Sequence, residues 1–241
     1  MQTTSTKDQI YIGKEAGKEI HEKIRNAKKS VKIVSPYLSA DYLKDLVHLH
    51  KKDVKIALIT CDKIEDSAYS DFKTQDLIKT EKIYDEKSGK LKNFLFKSFI
   101  LLFILSIISI IPYIAGFQAF WLLILAFIIL SISIISFVSS KLILDYSIKY
   151  EPIFRIKVFD SHSGKNPRST ELIHSKIFVI DEEIAFLGSV NFTYSGFKTH
   201  YETTIKVEDK STVRSISEEV ERLYSSKELR AKSVEEWARG S

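Results

Sequence analysis

The chain is 241 residues long, 44% hydrophobic and 28% charged, with a formal charge of +5. Its single cysteine, Cys61, excludes an internal disulfide framework and fits a reducing compartment. These averages conceal a partition, because Ser98 to Ser140, about 43 residues, contains no Asp, Glu, Lys, Arg or His, twice the ~20 apolar residues one membrane-crossing helix needs.

No apolar core of a secretory leader opens the chain at MQTTSTKDQIYIGKEAGKEI. Lys14 to Ser30 places Ala16, Ile20, Ile24 and Ala27 at helical spacing, with charge on the other face. Val31 to Ser39 is a short strand ended by a Ser-Pro turn. Ala40 to His50 is a second amphipathic helix, and Val54 to Thr60 is a buried-type strand with Cys61 at its end as a structural thiol. This alternation predicts an α/β sheet with covered faces, begun by residues 1–61. Residues 62–93 are charged and only weakly periodic, and are expected to be a stalk, part helix and part linker.

Residues 94–138 are expected to form a two-helix transmembrane hairpin. Pro112, Gly116 and Gln118 interrupt the apolar run, with Tyr113 and Trp121 flanking the turn where interfacial aromatics belong. A single helix of this length would exceed ~60 Å at about 1.5 Å per residue, twice the hydrocarbon thickness. Lys87, Lys90, Lys92 and Lys97 precede the hairpin, Lys141 and Lys149 follow it, and the turn is uncharged. The positive-inside rule then puts both soluble segments in the cytosol, so the two can complete one domain. The basic excess suits this topology first and an anionic substrate second.

Residues 139–153 form a second stalk, and 154–226 complete the α/β domain. Phe154 to Asp160 is a strand, Ser161 to Thr170 a polar loop, and Lys210 to Tyr224 a closing amphipathic helix. The tail, 227–241, holds a short helix around Trp237. Between them lies IHSKIFVIDEEIAFLGSVNFTYSGFKTHYET. His174 and Lys176 are two apart on an expected strand and so share a face, as do Ser189 and Asn191 on the next. Antiparallel pairing would gather them into one polar cluster, with Gly188 leaving room for a ligand or a backbone. An imidazole can attack phosphorus, while a lysine and an amide stabilise the charge that develops.

His174, Lys176, Asp181, Gly188, Ser189 and Asn191 match the HxK(x)4D(x)6GSxN signature, and by these residues the chain resembles the phospholipase D superfamily. The resemblance extends loosely to IRNAKKSVKIVSPYLS, about two-thirds of the chain in all, and leaves out the hairpin and stalks. It implies a phospholipase D-like mixed sheet flanked by helices, here interrupted by a transmembrane hairpin. It also implies His174 as nucleophile, Lys176 and Asn191 with Ser189 on the phosphate oxygens, Glu202 holding the imidazole, and Asp181 in support. No metal or other cofactor is implied, and His48 and His50 are expected at a helix surface. Gly188, Thr193, Lys165 and Arg168 are candidate substrate contacts.

The chain has one such motif, whereas the chemistry needs two histidines, one to attack and one to protonate the leaving oxygen. Single-motif members of the family are homodimers that share the active site, so a homodimer is expected here. The motif specifies a phosphodiester, not its flanks. A membrane-held nuclease acting on DNA or RNA is the first reading, a hydrolase of a phospholipid such as cardiolipin the second, and a silent membrane scaffold the third.

Overall fold

A computed structural model describes residues 9–61, 64–65, 74–116, 120–160, 173–228 and 230–240. The chain divides into two compact units, Met1–Lys79 with Tyr150–Ser241, and Thr80–Lys149. In chain order the elements are β1 (Gln9–Gly13), α1 (Lys18–Arg25), β2 (Ser30–Val34), β3 (Leu38–Ser39), α2 (Ala40–His50), β4 (Lys55–Cys61) and β5 (Ile64–Glu65). After a 3-10 turn at Thr74–Leu77 come β6 (Ile78–Tyr84), α3 (Glu86–Ile114), α4 (Phe120–Leu142), β7 (Tyr146–Pro152) and β8 (Arg155–Phe159). The remainder is β9 (Lys176–Ile180), β10 (Ile184–Gly188), α5 (Tyr194–Lys198), β11 (Glu202–Val207), α6 (Lys210–Ser225), β12 (Ala231–Lys232) and α7 (Val234–Gly240).

The first unit is built on an eight-stranded mixed sheet ordered β1-β11-β10-β9-β2-β4-β8-β12. Strands β2, β4 and β8 run parallel, and the other neighbours pair antiparallel. Both faces are covered, because successive residues of one strand enter different cores. Ile33, Leu58 and Phe178 pack with Ile20 and Ile24 of α1 and Leu43 and Leu46 of α2. Their neighbours Val34, Ile59 and Val179 pack with Val213 and Val220 of α6. Cys61 is buried at the end of β4. The sequence segments either side of the hairpin therefore share one sheet, with β2 from the first paired to β9 from the second.

Phe192 and Phe197 anchor the stretch after the motif. Their rings meet at 5.6 Å and 89°, Tyr42 lies 4.8 Å from Phe197, and both phenylalanines are buried. Each such burial contributes about 1.5–3 kcal/mol. Ser35 Oγ accepts the Phe192 N–H at 2.9 Å, and Ser39 Oγ accepts the Tyr194 N–H at 3.0 Å. The Ser-Pro turn read after β2 thus serves as the seat of the motif's trailing segment.

In the second unit α3 and α4 form an antiparallel pair. Only 6% and 11% of their most apolar windows are buried, so their Leu, Ile and Phe face outward, which the core helix of a globular domain does not do. The inward positions of α4 are small, Ala126, Ser133, Ser136 and Ser140. Ser133 Oγ donates to the Phe99 carbonyl at 3.1 Å and Ser136 Oγ to the Leu95 carbonyl at 2.9 Å. Such interhelical bonds hold helices together where apolar side chains gain nothing from leaving lipid.

The stalks hold more structure than the weak periodicity implies. β6 and β7 pair as a two-stranded sheet, and α3 begins at Glu86 rather than near residue 94. Asp85 explains the earlier start, since its carboxylate accepts the Lys87 N–H at 3.1 Å, and Lys90 pairs with Glu86 at 2.6 Å.

Candidate active site

The β9–β10 hairpin sets the register, with Lys176 opposite Gly188 and Gly188 opposite Thr204 of β11. His174 lies two residues before β9 begins, so strand geometry does not orient it. Lys176 does: its Nζ lies 3.2 Å from each ring nitrogen of His174 and donates to the His174 carbonyl at 2.8 Å. Lys176 is buried, and that desolvation pushes its ammonium pKa below the ordinary lysine value, with Glu202 pulling the other way. An exposed imidazole is therefore held against a desolvated point charge.

A Cβ on Gly188 would overlap the Thr203 carbonyl oxygen, so the missing side chain admits the β11 backbone rather than a ligand. That close approach brings Ser189 to Glu202. The Ser189 N–H donates to the Thr203 carbonyl at 2.9 Å, its Oγ accepts the Thr203 N–H at 3.0 Å, and its hydroxyl donates to the Glu202 carboxylate. Glu202 is buried and is thus bonded to Ser189 rather than to the His174 ring. Its other oxygen faces His200 Nδ1 at 3.7 Å. His200 carries no signal in the sequence, since it stands in the bend before β11 and only the fold brings its ring to Glu202.

Asn191 lies beyond the end of β10, and its Oδ1 is buried with no hydrogen-bond partner. Such an oxygen is costly to leave unpaired, and a bound donor would offset that cost, as it would for Thr204 Oγ1, which is buried and unpaired in the same way.

Two candidate residues have other work. Asp181, placed with the catalytic group, sits at the far end of β9, roughly 20 Å along the strand from His174. Its carboxylate accepts the backbone N–H groups of Lys28, Lys29 and Ser30 at 2.6–3.0 Å. Burial works to raise its pKa, and those three donors outweigh it and hold the carboxyl below its ordinary value. Thr193, expected against substrate, is buried, and its Oγ1 caps α5 by accepting the Gly196 N–H at 3.0 Å. Lys165 and Arg168 fall outside the described residues. His48 is exposed, and His50 is half-buried with its ring 5.9 Å from that of Phe154.

Among the described residues no group of three His, Cys, Asp or Glu side chains is placed to hold a metal ion. The arrangement offers instead a nucleophilic imidazole, a buried cation beside it, an unpaired amide oxygen, and a serine–carboxylate pair with a second histidine at its edge.

Residues 144–224 match the family described as cardiolipin synthase, PLD-like domain. A search of curated proteins gives no match. Among solved structures the chain is similar to NucT from Helicobacter pylori, at 15% identity and a TM-score of 0.47, over 90% of this chain and 95% of that one. It is similar to Nuc from Salmonella typhimurium, a phospholipase D family member, at 14% identity and a TM-score of 0.43, over 94% and 99%. A third likeness is to phosphatidylserine synthase from Haemophilus influenzae Rd KW20, at 12% identity and a TM-score of 0.42, over 93% of this chain and 39% of that one. None of these likenesses is close enough to carry an activity across.

Proposed function

We propose that this chain, whose residues 144–224 match a family described as cardiolipin synthase, PLD-like domain, is a membrane-held phosphodiesterase of the phospholipase D kind that cleaves nucleic acid through a phosphohistidine. The observation that supports the chemistry is the contact of Lys176 Nζ, 3.2 Å from the His174 ring, which sets a cation where the phosphate of an attacked diester would lie. In the first step a nitrogen of His174 bonds to phosphorus and one ester P–O bond breaks. The departing oxygen takes a proton from an imidazolium. In the second step water attacks phosphorus, the N–P bond breaks, and the water proton passes to the imidazole that gave one up.

One motif supplies one attacking imidazole, so the proton donor in this scheme is His174 of the partner subunit in a homodimer. The hairpin holds the dimer in the membrane with both soluble segments on the cytosolic side.

Nucleic acid is favoured by the surface next to the site. Tyr194 and Tyr201 are 58% and 75% exposed, one opening α5 and the other immediately before Glu202, and Lys198 and His200 stand exposed between them. Exposed rings beside a lysine ammonium and an imidazole suit stacked bases on a phosphate backbone. The outward-facing apolar helices and the family's description favour a second reading, a phospholipid headgroup diester.

The test is the purified full chain in phosphatidylcholine nanodiscs with EDTA, offered DNA and RNA in single- and double-stranded form and, separately, phospholipid. Nucleic-acid cleavage is expected, falling by about 10⁴-fold or more in His174→Asn with the fold unchanged by circular dichroism. Headgroup release with every nucleic acid intact selects the lipid reading. No turnover of either, with His174→Asn indistinguishable from the parent chain in cells, leaves a scaffold.

A further inference from the structure

We propose that the base of the hairpin is a docking surface for anionic phospholipid headgroups, so that the second unit selects the lipids around it as well as tethering the chain. This rests on the hairpin being inserted in a bilayer, and it is independent of the substrate.

Helix lengths define the surface. α4, with 23 residues, spans about 34 Å, close to the ~30 Å hydrocarbon thickness. α3 has 29 residues and spans about 43 Å, so roughly its first two turns reach beyond the hydrocarbon. That overhang, Glu86 to Asn93, is polar except for Leu91, and Phe94 follows it directly. Leu91 and Phe94 are 51% and 66% exposed, and on the neighbouring strand and the end of α4, Tyr84, Leu142 and Leu144 are 70–76% exposed. Such residues belong at the boundary between headgroups and acyl chains.

Lysines are set among them. The second unit contains seven lysines against four carboxylates. Three of those carboxylates are committed: Asp85 caps α3, Glu86 pairs with Lys90 at 2.6 Å, and Asp145 pairs with Lys92 at 3.0 Å. Lys82, Lys87, Lys97 and Lys141 are exposed and, among the described residues, have no carboxylate within ion-pair distance; against them stands Glu81. Lys82 Nζ rests 4.8 Å from the centre of the Tyr146 ring, and Lys141 Nζ 5.5 Å from that of Phe137. Both ammonium groups are thus positioned by aromatic faces while their N–H donors remain available to phosphate.

A polyanion in water is also drawn to unpaired lysines, but it gains nothing from exposed Leu91, Phe94, Leu142 and Leu144 among them. A leaflet bearing anionic headgroups satisfies both parts, with the aliphatic and aromatic groups at the acyl boundary and the ammonium groups at phosphate depth.

The experiment uses the full chain reconstituted into mixed phosphatidylcholine–phosphatidylglycerol vesicles with a trace of either lipid spin-labelled, and reads the motionally restricted fraction. Phosphatidylglycerol is expected to exceed phosphatidylcholine there by about threefold or more at low salt. The preference should fall towards one in a variant carrying Lys82→Gln, Lys87→Gln, Lys97→Gln and Lys141→Gln, whose phosphodiesterase activity should be unchanged. Equal fractions for the parent chain, an unaltered preference in the variant, or loss of nucleic-acid binding alone in the variant would each overturn the proposal. Failure of the parent chain to enter the bilayer overturns the anchor along with it.

Discussion

The two ends of the β9–β10 hairpin carry the same motif and have opposite characters. At the turn end, Asp181 has its carboxylate filled by three backbone N–H groups of the α1–β2 connection. At the other end, His174 is exposed, Lys176 is desolvated and Asn191 Oδ1 lacks a partner. Polar groups that are satisfied stabilise a fold, and those left waiting lose stability for a ligand's sake. The difference teaches that a six-residue signature is two devices joined by one short strand pair, a clamp that closes the sheet and a site that uses it.

The sharpest way to break that division is Lys176→Gln. If the open end is the chemical one, kcat/KM should fall by about 10²–10³, through the loss of a cation from the developing phosphorane charge, while thermal stability changes little or rises. The parent's activity should also fall with rising pH earlier than an ordinary lysine allows. Lys176 binds phosphate only when protonated, and burial has lowered its pKa, so the basic limb moves down. A rate–pH profile on parent and variant checks both; an unaltered basic limb in the variant would assign it to another group.

Next in size is Asp181→Asn. Removing the charge from a carboxylate that accepts three backbone N–H groups is expected to cost about 2–3 kcal/mol of stability, with turnover per folded molecule within about twofold of the parent. The pH dependence carries the same information. A carboxyl whose folded pKa is depressed gives its full stabilisation above the unfolded value, ~3.9, and loses it as pH falls through the lower folded value. Thermal scans between about pH 6 and 3 should therefore show the parent converging on the variant at the acid end. A large loss of turnover in folded Asp181→Asn would return this residue to the catalytic group.

Most of the fold was legible because its signals are local. The periodicity of Ala40 to His50 is α2 residue for residue, and the uncharged run is the pair α3 and α4, which breaks near Gly116, while Pro112, expected to interrupt it, lies inside the last turn of α3. Edge strands were not legible, because β1 exposes Ile10 and Ile12 and β12 has only two residues; neither shows the alternation of a half-buried strand. The ribbon of β6 and β7 was missed for a different reason: it is held by pairing across a long insertion, which no local window contains. In the site, spacing names His174 and Lys176, but His174 precedes β9, and it is the Lys176 ammonium rather than strand alternation that orients it. The bond of Ser189 to Glu202 depends on how β10 meets β11, and the roles of Asp181 and Thr193 depend on contacts with Lys28 to Ser30 and with Gly196. Spacing names which residues matter; only packing says for what.

The smallest effect separates two ways of holding the turn end. Lys29 serves it twice, through its backbone N–H, 2.6 Å from the Asp181 carboxylate, and through its side chain, which pairs with Glu183 at 2.7 Å. That ion pair is exposed on both sides, at 68% and 60%, and it sits in water that screens it and leaves both long side chains free to move. Glu183→Gln should therefore shift Tm by less than about 1 °C, and by nothing measurable at about 0.5 M salt. A fall in Tm approaching that of Asp181→Asn, abolished by salt, would mean that the turn end is held by charge pairing at its rim rather than by capture of the backbone. The contrast between a satisfied clamp and an open site would then have to be redrawn as one between two charged surfaces.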